Sequence, residues 1–250
     1  SGDRRGTAGD GPDLRLLVVG DSSGAGVGVE TQDEALLGQT VARLAETHRG
    51  TFRLEARHGA TIPRTLAHLR KQAPEPFDVA VTGSGINDIT AGRTLGPWLD
   101  SYADLADELR QRFGVRRIVA SGLPPIGRFP AIPNPLQWYL GRTAQRYDRA
   151  LAAWSETQPD MSYIDFETKP GDPLHDVPIA EIMATDGFHP GLKIYDEWGR
   201  RAAVAVREAL ATGCRLPPAG GSPGWPTSHR ATTRALRYRG ADAASTASRR

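Results

Sequence analysis

Along the chain, five short apolar runs alternate with stretches whose apolar residues recur every three or four positions. Leu14–Val19 ("LRLLVV") is branched and stops at Gly20, the pattern of a buried strand. Phe52–Ala56, Phe77–Thr82, Val115–Ala120 and Met161–Phe166 read as four more strands. Between the first two, Thr31-Gln32-Asp33-Glu34 forms a capping box ahead of "ALLGQTVARLAETH", where Leu37, Val41 and Leu44 sit at helical spacing. Ile62–Gln72 reads as a helix opened by Pro63. Trp98, Tyr102, Leu105 and Leu109 form one apolar stripe on a helix that Gly114 ends. Leu140, Ala144, Tyr147, Leu151 and Trp154 predict another core-facing helix, and Gly191–Ala211 a last one stopped by Gly213.

Strands that alternate with helices predict an α/β fold, a three-layer α/β/α sandwich on a parallel five-stranded sheet. Ligand sites in such sheets lie beyond the carboxyl ends of the strands. Three polar, glycine-containing segments fall at that edge: Gly20–Gly24, Arg57–Thr61 and Gly83–Asp88. The proline-rich "SGLPPIGRFPAIPNPLQWYLG" breaks the alternation. A connection so long and apolar is either packed or a wall of a pocket, which makes Leu123, Ile126, Phe129 and Trp138 candidate substrate contacts. The predicted organisation is a flexible segment over 1–13, one domain over 14–213, and a basic, Pro/Gly/Ser-rich tail over 214–250 whose composition predicts disorder.

Composition and charge add to this picture. With 250 residues, 39% of them apolar, the chain can bury a full core. The net charge of +2 is uneven: from Arg215 to Arg250 seven arginines face one acid, a local +6 that leaves −4 for the rest. The basic character therefore belongs to the tail, and no nucleic-acid partner is expected. The single cysteine, Cys214, cannot form an internal disulfide and borders the tail, so it reads as an inert small residue. No apolar run approaches the ~20 residues of a membrane span. The first thirteen residues hold no signal-peptide core, so a cytoplasmic location is expected, although the chain starts at Ser1.

The stretch "VVGDSSGAGVG" (Val18–Gly28) raises the question of chemistry. A P-loop needs a lysine after its last glycine, and here Gly26 precedes Val27. A dinucleotide fingerprint needs a third glycine where Val29 stands. What remains is a tight strand-to-helix turn of small residues that exposes the hydroxyl of Ser22. A serine needs a base. Near the other end, in "ATDGFHPG", Asp186 stands three residues before His189, close enough to orient the ring while its other nitrogen faces a hydroxyl. His58 is the runner-up base. His48, His68 and His175 lack partners at metal-ligand spacing, so neither a metal nor a cofactor is expected. Acyl transfer also needs donors for an oxyanion, and Asn87 and the Gly59 N–H can supply them. Asp88 reads as a turn or helix-cap residue.

In this order, Gly20-Asp21-Ser22, Gly59, Gly85-Ile86-Asn87-Asp88 and Asp186-Gly187-Phe188-His189-Pro190 resemble the SGNH/GDSL hydrolase family. The resemblance spans Leu14–Ala211 and implies a flavodoxin-like sheet. It also implies roles: Ser22 as nucleophile, His189 as general base and acid, and Asp186 as its orienter. The oxyanion hole is then the Ser22 N–H, the Gly59 N–H and the Asn87 side chain. Two departures stand out. Ser23 occupies the position where the family name expects leucine, and the bulky Arg57-His58 pair precedes Gly59. The function so implied is hydrolysis of small carboxylic esters, short-chain acyl or aryl, through an acyl-enzyme. An acyltransferase, a thioesterase, a carbohydrate O-deacetylase and a non-catalytic binding module are the alternatives.

Overall fold

The computed structural model describes residues 2–168 and 170–212. Six strands form one sheet: β1 (Arg5–Ala8), β2 (Asp13–Gly20), β3 (Arg49–Ala56), β4 (Val79–Gly83), β5 (Arg117–Ser121) and β6 (Met161–Ile164). Their spatial order is β1-β3-β2-β4-β5-β6. Pairing from β3 through β6 is parallel throughout. Those five strands have the flavodoxin-like order, and the direction of winding reverses between β2 and β4.

The helices are α1 (Leu36–Leu44), α2 (Ile62–Leu69), α3 (Ile86–Thr90), α4 (Leu95–Phe113), α5 (Leu136–Glu156), α6 (Ile179–Ile182) and α7 (Leu192–Thr212). Because strand side chains alternate, each central strand feeds two cores. Leu17, Val19, Ala80, Ile118 and Ala120 pack with residues of α2, α4 and α5. Leu16, Val18, Val79, Val81 and Val119 pack on the other face with residues of α1 and α7. Burial on both faces makes these strands read as unbroken apolar runs. Each of these buried valines, leucines and isoleucines contributes roughly 1.5–3 kcal/mol.

Two local expectations need correction. The segment over 1–13 is not flexible throughout: β1 pairs antiparallel with β3 from Arg5↔Arg53 to Ala8↔Gly50. Nothing in "RGTA" has strand periodicity. The strand is held by backbone bonds to an open edge, by Arg4 Nη1 donating to Ala56 O at 3.0 Å, and by Arg5 beside Glu75 at 3.8 Å. The first helix also starts later than its capping box implies. Glu34 Oε2 does accept from the Thr31 N–H at 3.1 Å. But Gln32 O takes both the Ala35 and Gly38 N–H groups, and Gln32 Nε2 donates to Ala25 O at 2.8 Å. Those bonds tie 31–35 to the Ser22 turn as an irregular lead-in. Cys214 and the tail over 214–250 lie outside the described residues.

Candidate active site

Ser22 stands just past β2, at the point where the winding reverses. The backbone must double back there within four residues. A Cβ on Gly20 would come within 2.9 Å of the Gly24 Cα and 3.0 Å of Gly83 O, so the turn closes only without one. The turn is then tied down from outside. The Tyr195 hydroxyl on α7 lies 2.9 Å from Ser23 O and 2.7 Å from Val27 O, donating to one at a time. Sequence reasoning assigned Tyr195 no part, since it sits on an ordinary helical stripe.

Folding brings the two ends of the domain together here. His189 Nε2 lies 3.1 Å from Ser22 Oγ, and His189 Nδ1 lies 2.6 Å from Asp186 Oδ2. Asp186 Oδ1 accepts the Phe188 and His189 N–H groups, each at 2.9 Å. Partial burial works to raise the Asp186 carboxyl. The His189 amide, the His189 ring and the Phe188 amide outweigh it and hold the group down at about 2. An ionised carboxylate only accepts, so Nδ1 carries the ring proton and Nε2 keeps a lone pair towards the Ser22 hydroxyl. Phe188 packs edge-on against Phe129, with ring centroids 5.7 Å apart, and Ala131 N donates to Gly187 O at 3.2 Å. The long proline-rich connection thus buttresses the histidine loop.

The candidate donors come from the turn after β2, the turn after β3 and α3. The amide N–H groups of Ser22 and Gly59 donate to no other described residue. Gly59 adopts φ +65, a left-handed conformation, with open space where a Cβ would sit. Asn87 Nδ2 donates to Ala60 O at 3.1 Å and to Asp21 Oδ2 at the longer distance of 3.3 Å. Asp21 Oδ1 in turn accepts the Ser23 N–H at 3.0 Å. Burial raises the Asp21 carboxyl to about 7, against the pull of the Ser23 amide and with a push from the Asp88 carboxylate. Asp21 is therefore a buried group beside Ser22 that the sequence reading did not single out as a site residue. Its only signal was its place beside Ser22.

Asp88 caps a helix other than its own. Its Oδ2 accepts the Ile62 N–H at the start of α2 at 2.8 Å, and its Oδ1 lies 3.2 Å from Arg93 Nε. His58 makes no hydrogen bond to Ser22 among the described residues; its ring centroid lies 6.1 Å from that of His189.

A cleft of about 550 Å³ opens from Ser22 and Asn87. Leu123 and Phe129 line it, but Ile126 and Trp138 do not. Ile126 is fully buried in the core beneath, on a single 3-10 turn, Ile126–Arg128. Trp138 is 61% exposed on α5, under the guanidinium of Arg142. Helix α5 sets its buried stripe through Leu140, Ala144 and Tyr147, which leaves Trp138 pointing away from the core. Part of the remaining apolar wall comes from Ile179, Ile182 and Met183, in and beside the short α6. No periodicity marked that segment.

Residues 18–197 match the model of the GDSL-like Lipase/Acylhydrolase family. The GDSL-like esterase Rv1075c of Mycobacterium tuberculosis is 28% identical over 222 residues, covering 82% of this chain. The chain spans 65% of the length of that relative. Among solved structures, a member of the lipolytic protein G-D-S-L family from Veillonella parvula superposes with a TM-score of 0.58 at 16% identity. That match covers 81% of this chain and 99% of the other. The psychrotrophic esterase EstA from Pseudoalteromonas sp. gives 0.57 at 16% identity, over 80% of this chain and 100% of its own. At such identities the two structures support the fold.

Proposed function

The chain belongs to the GDSL-like Lipase/Acylhydrolase family, and from that premise we propose that it is a serine-dependent carboxylic ester hydrolase. The observation that carries the reading is the line of contacts Asp186–His189–Ser22, at 2.6 and 3.1 Å. His189 Nε2 takes the proton as Ser22 Oγ attacks the acyl carbonyl, and the imidazolium that forms is held by the ionised Asp186. The carbonyl oxygen becomes an anion that the N–H groups of Ser22 and Gly59 receive. Charge developing there also competes with Asp21 Oδ2 for the second N–H of Asn87, the longer of its two bonds. The imidazolium returns its proton to the leaving oxygen, and the alcohol departs. Water, deprotonated by the same histidine, then releases the acid from Ser22.

The apolar cleft beside Ser22 suits a short acyl or aryl group on the acyl side. No metal or cofactor enters the reaction as written. The test is hydrolysis of 4-nitrophenyl acetate by the wild type and by Ser22→Ala, together with labelling by a fluorophosphonate. Turnover is expected to fall by ~10⁴-fold or more, with the label confined to Ser22. Undiminished hydrolysis by purified Ser22→Ala overturns the reading.

A further inference from the structure

At the carboxyl end of β3 a second pocket, of about 310 Å³, opens next to the oxyanion donors. One wall is the turn from Arg57 to Ala60. The other is a single face of α2 and the turn that ends it, where Arg64, Ala67, His68 and Lys71 follow one another at helical spacing. Ala67 leaves the space that the longer side chains surround.

The pocket is positively charged, and the charge is uncompensated. Arg64 and Lys71 are exposed and form no ion pair among the described residues. Glu55 is hydrogen-bonded to His68 of this cluster, and its charge is already engaged: Arg53 Nε donates to Glu55 Oε1 at 2.6 Å. Glu55 Oε2 takes His68 Nε2 at 2.7 Å. That bond puts the His68 proton on Nε2 and leaves Nδ1 as an acceptor, 3.4 Å from Arg57 Nη1. The His68 ring thus lies beside Arg57, which forms no ion pair among the described residues. The Arg57-His58 pair that departs from a small lead-in to Gly59 is part of this pocket wall.

The pocket and the reacting atoms share backbone. Gly59 lines the pocket, Ala60 O holds Asn87, and the His58 ring centroid is 6.1 Å from that of His189. A group bound there needs only a short tether to an acyl carbonyl at Ser22. Resting on the serine-esterase reading above, we propose that this pocket takes an anionic group, a carboxylate or a phosphate, on the alcohol side of the ester. The acyl side occupies the apolar cleft. Two guanidinium groups and an ammonium around one small cavity suit oxyanion recognition, since Arg presents a planar fork of donors and Lys a point charge.

Three esters with one acyl group make the comparison: 4-acetoxyphenyl phosphate, 4-acetoxybenzoate and neutral 4-acetoxybenzamide. At low salt, kcat/KM for at least one anionic ester is expected to exceed that of the amide at least tenfold, chiefly through KM, and to fall as salt rises. Preference for the phosphate or the carboxylate ester identifies which anion the pocket takes. In Arg64→Gln/Lys71→Gln, where glutamine suits an exposed helix, that ratio is expected to fall towards one. Arg142→Gln/Arg146→Gln, exposed on α5, is expected to leave the ratio as in the wild type. No anionic preference, or a preference that survives Arg64→Gln/Lys71→Gln or is lost equally in the α5 variant, overturns the pocket. Calorimetry on Ser22→Ala separates this from the catalytic reading. Binding of 4-acetoxyphenyl phosphate that weakens tenfold with Arg64→Gln/Lys71→Gln supports the pocket even if no ester is hydrolysed. Hydrolysis with equal binding of charged and neutral esters retains the esterase and removes the pocket.

Discussion

Replacing Asp21 by asparagine separates the electrostatic cost of a buried carboxyl from its hydrogen bonds. In the folded protein the group titrates at about 7, against an ordinary value of 3.8. The folded state therefore binds a proton that the unfolded state has lost between those two values, so stability falls as pH rises through that window. That displacement is worth about 4 kcal/mol at about 1.36 kcal/mol per pH unit, of which roughly 3 kcal/mol falls between pH 4.5 and 8. The asparagine side chain does not titrate. With its carbonyl oxygen on the Ser23 N–H, its amide nitrogen faces Asn87 Nδ2, donor against donor, a pH-independent loss of about 1–3 kcal/mol. The assay is urea unfolding followed by tryptophan fluorescence for both proteins at pH 4.5 and pH 8. Titrating groups that are not coupled to Asp21 cancel in the double difference, and Asp88, which pushes on Asp21, contributes the remainder. The wild type is expected to lose roughly 3 kcal/mol more than Asp21→Asn on going from pH 4.5 to 8. Parallel losses, within about 1 kcal/mol, refute the assignment of a proton-binding Asp21 in the folded state.

Asp186→Asn keeps the shape but offers an uncharged partner to the imidazole, and kcat is expected to fall by roughly 10³–10⁴-fold in steady-state ester hydrolysis. Because the Asp186 carboxyl is held at about 2, its contribution to stability is complete above 3.8 and lost as pH drops towards 2. An Asp186 carboxyl signal titrating near 4 by NMR contradicts this. Asn87→Ala is expected to lower kcat by ~10²–10³-fold; a change in KM alone argues that the side chain binds the ground state and not the oxyanion. Phe129→Ala opens the cleft wall and is expected to move the preferred acyl chain to greater length, while Trp138→Ala leaves the acyl-length series within about twofold. A series that responds to Trp138 and not to Phe129 refutes the placement of the cleft.

Much of the layered architecture is written in local pattern. Strands buried on both faces must be continuously apolar, and helices on a sheet must be apolar on one stripe, so β2 to β6 and the long helices could be read from periodicity. The order of small residues, Asn87 and the Asp186–His189 pair likewise marked three separate segments as chemical. Local pattern could not join them: the pairing of Ser22 with His189 was implied only by the family resemblance, because the two are 167 residues apart and meet only when the parallel sheet aligns its carboxyl edge. Other decisions belonged wholly to tertiary structure. The "RGTA" strand exists because an edge of β3 was open, a fact about neighbours and not about those four residues. Trp138 and Phe129 stand in one apolar stretch, yet the packing of α5 turns the first to solvent and leaves the second beside Phe188. The proton affinity of Asp21 depends on what buries it, and a sequence lists a carboxyl without its dielectric surroundings. Local pattern is set by interactions a few residues long; the site is set by desolvation and by contacts that exist only after collapse.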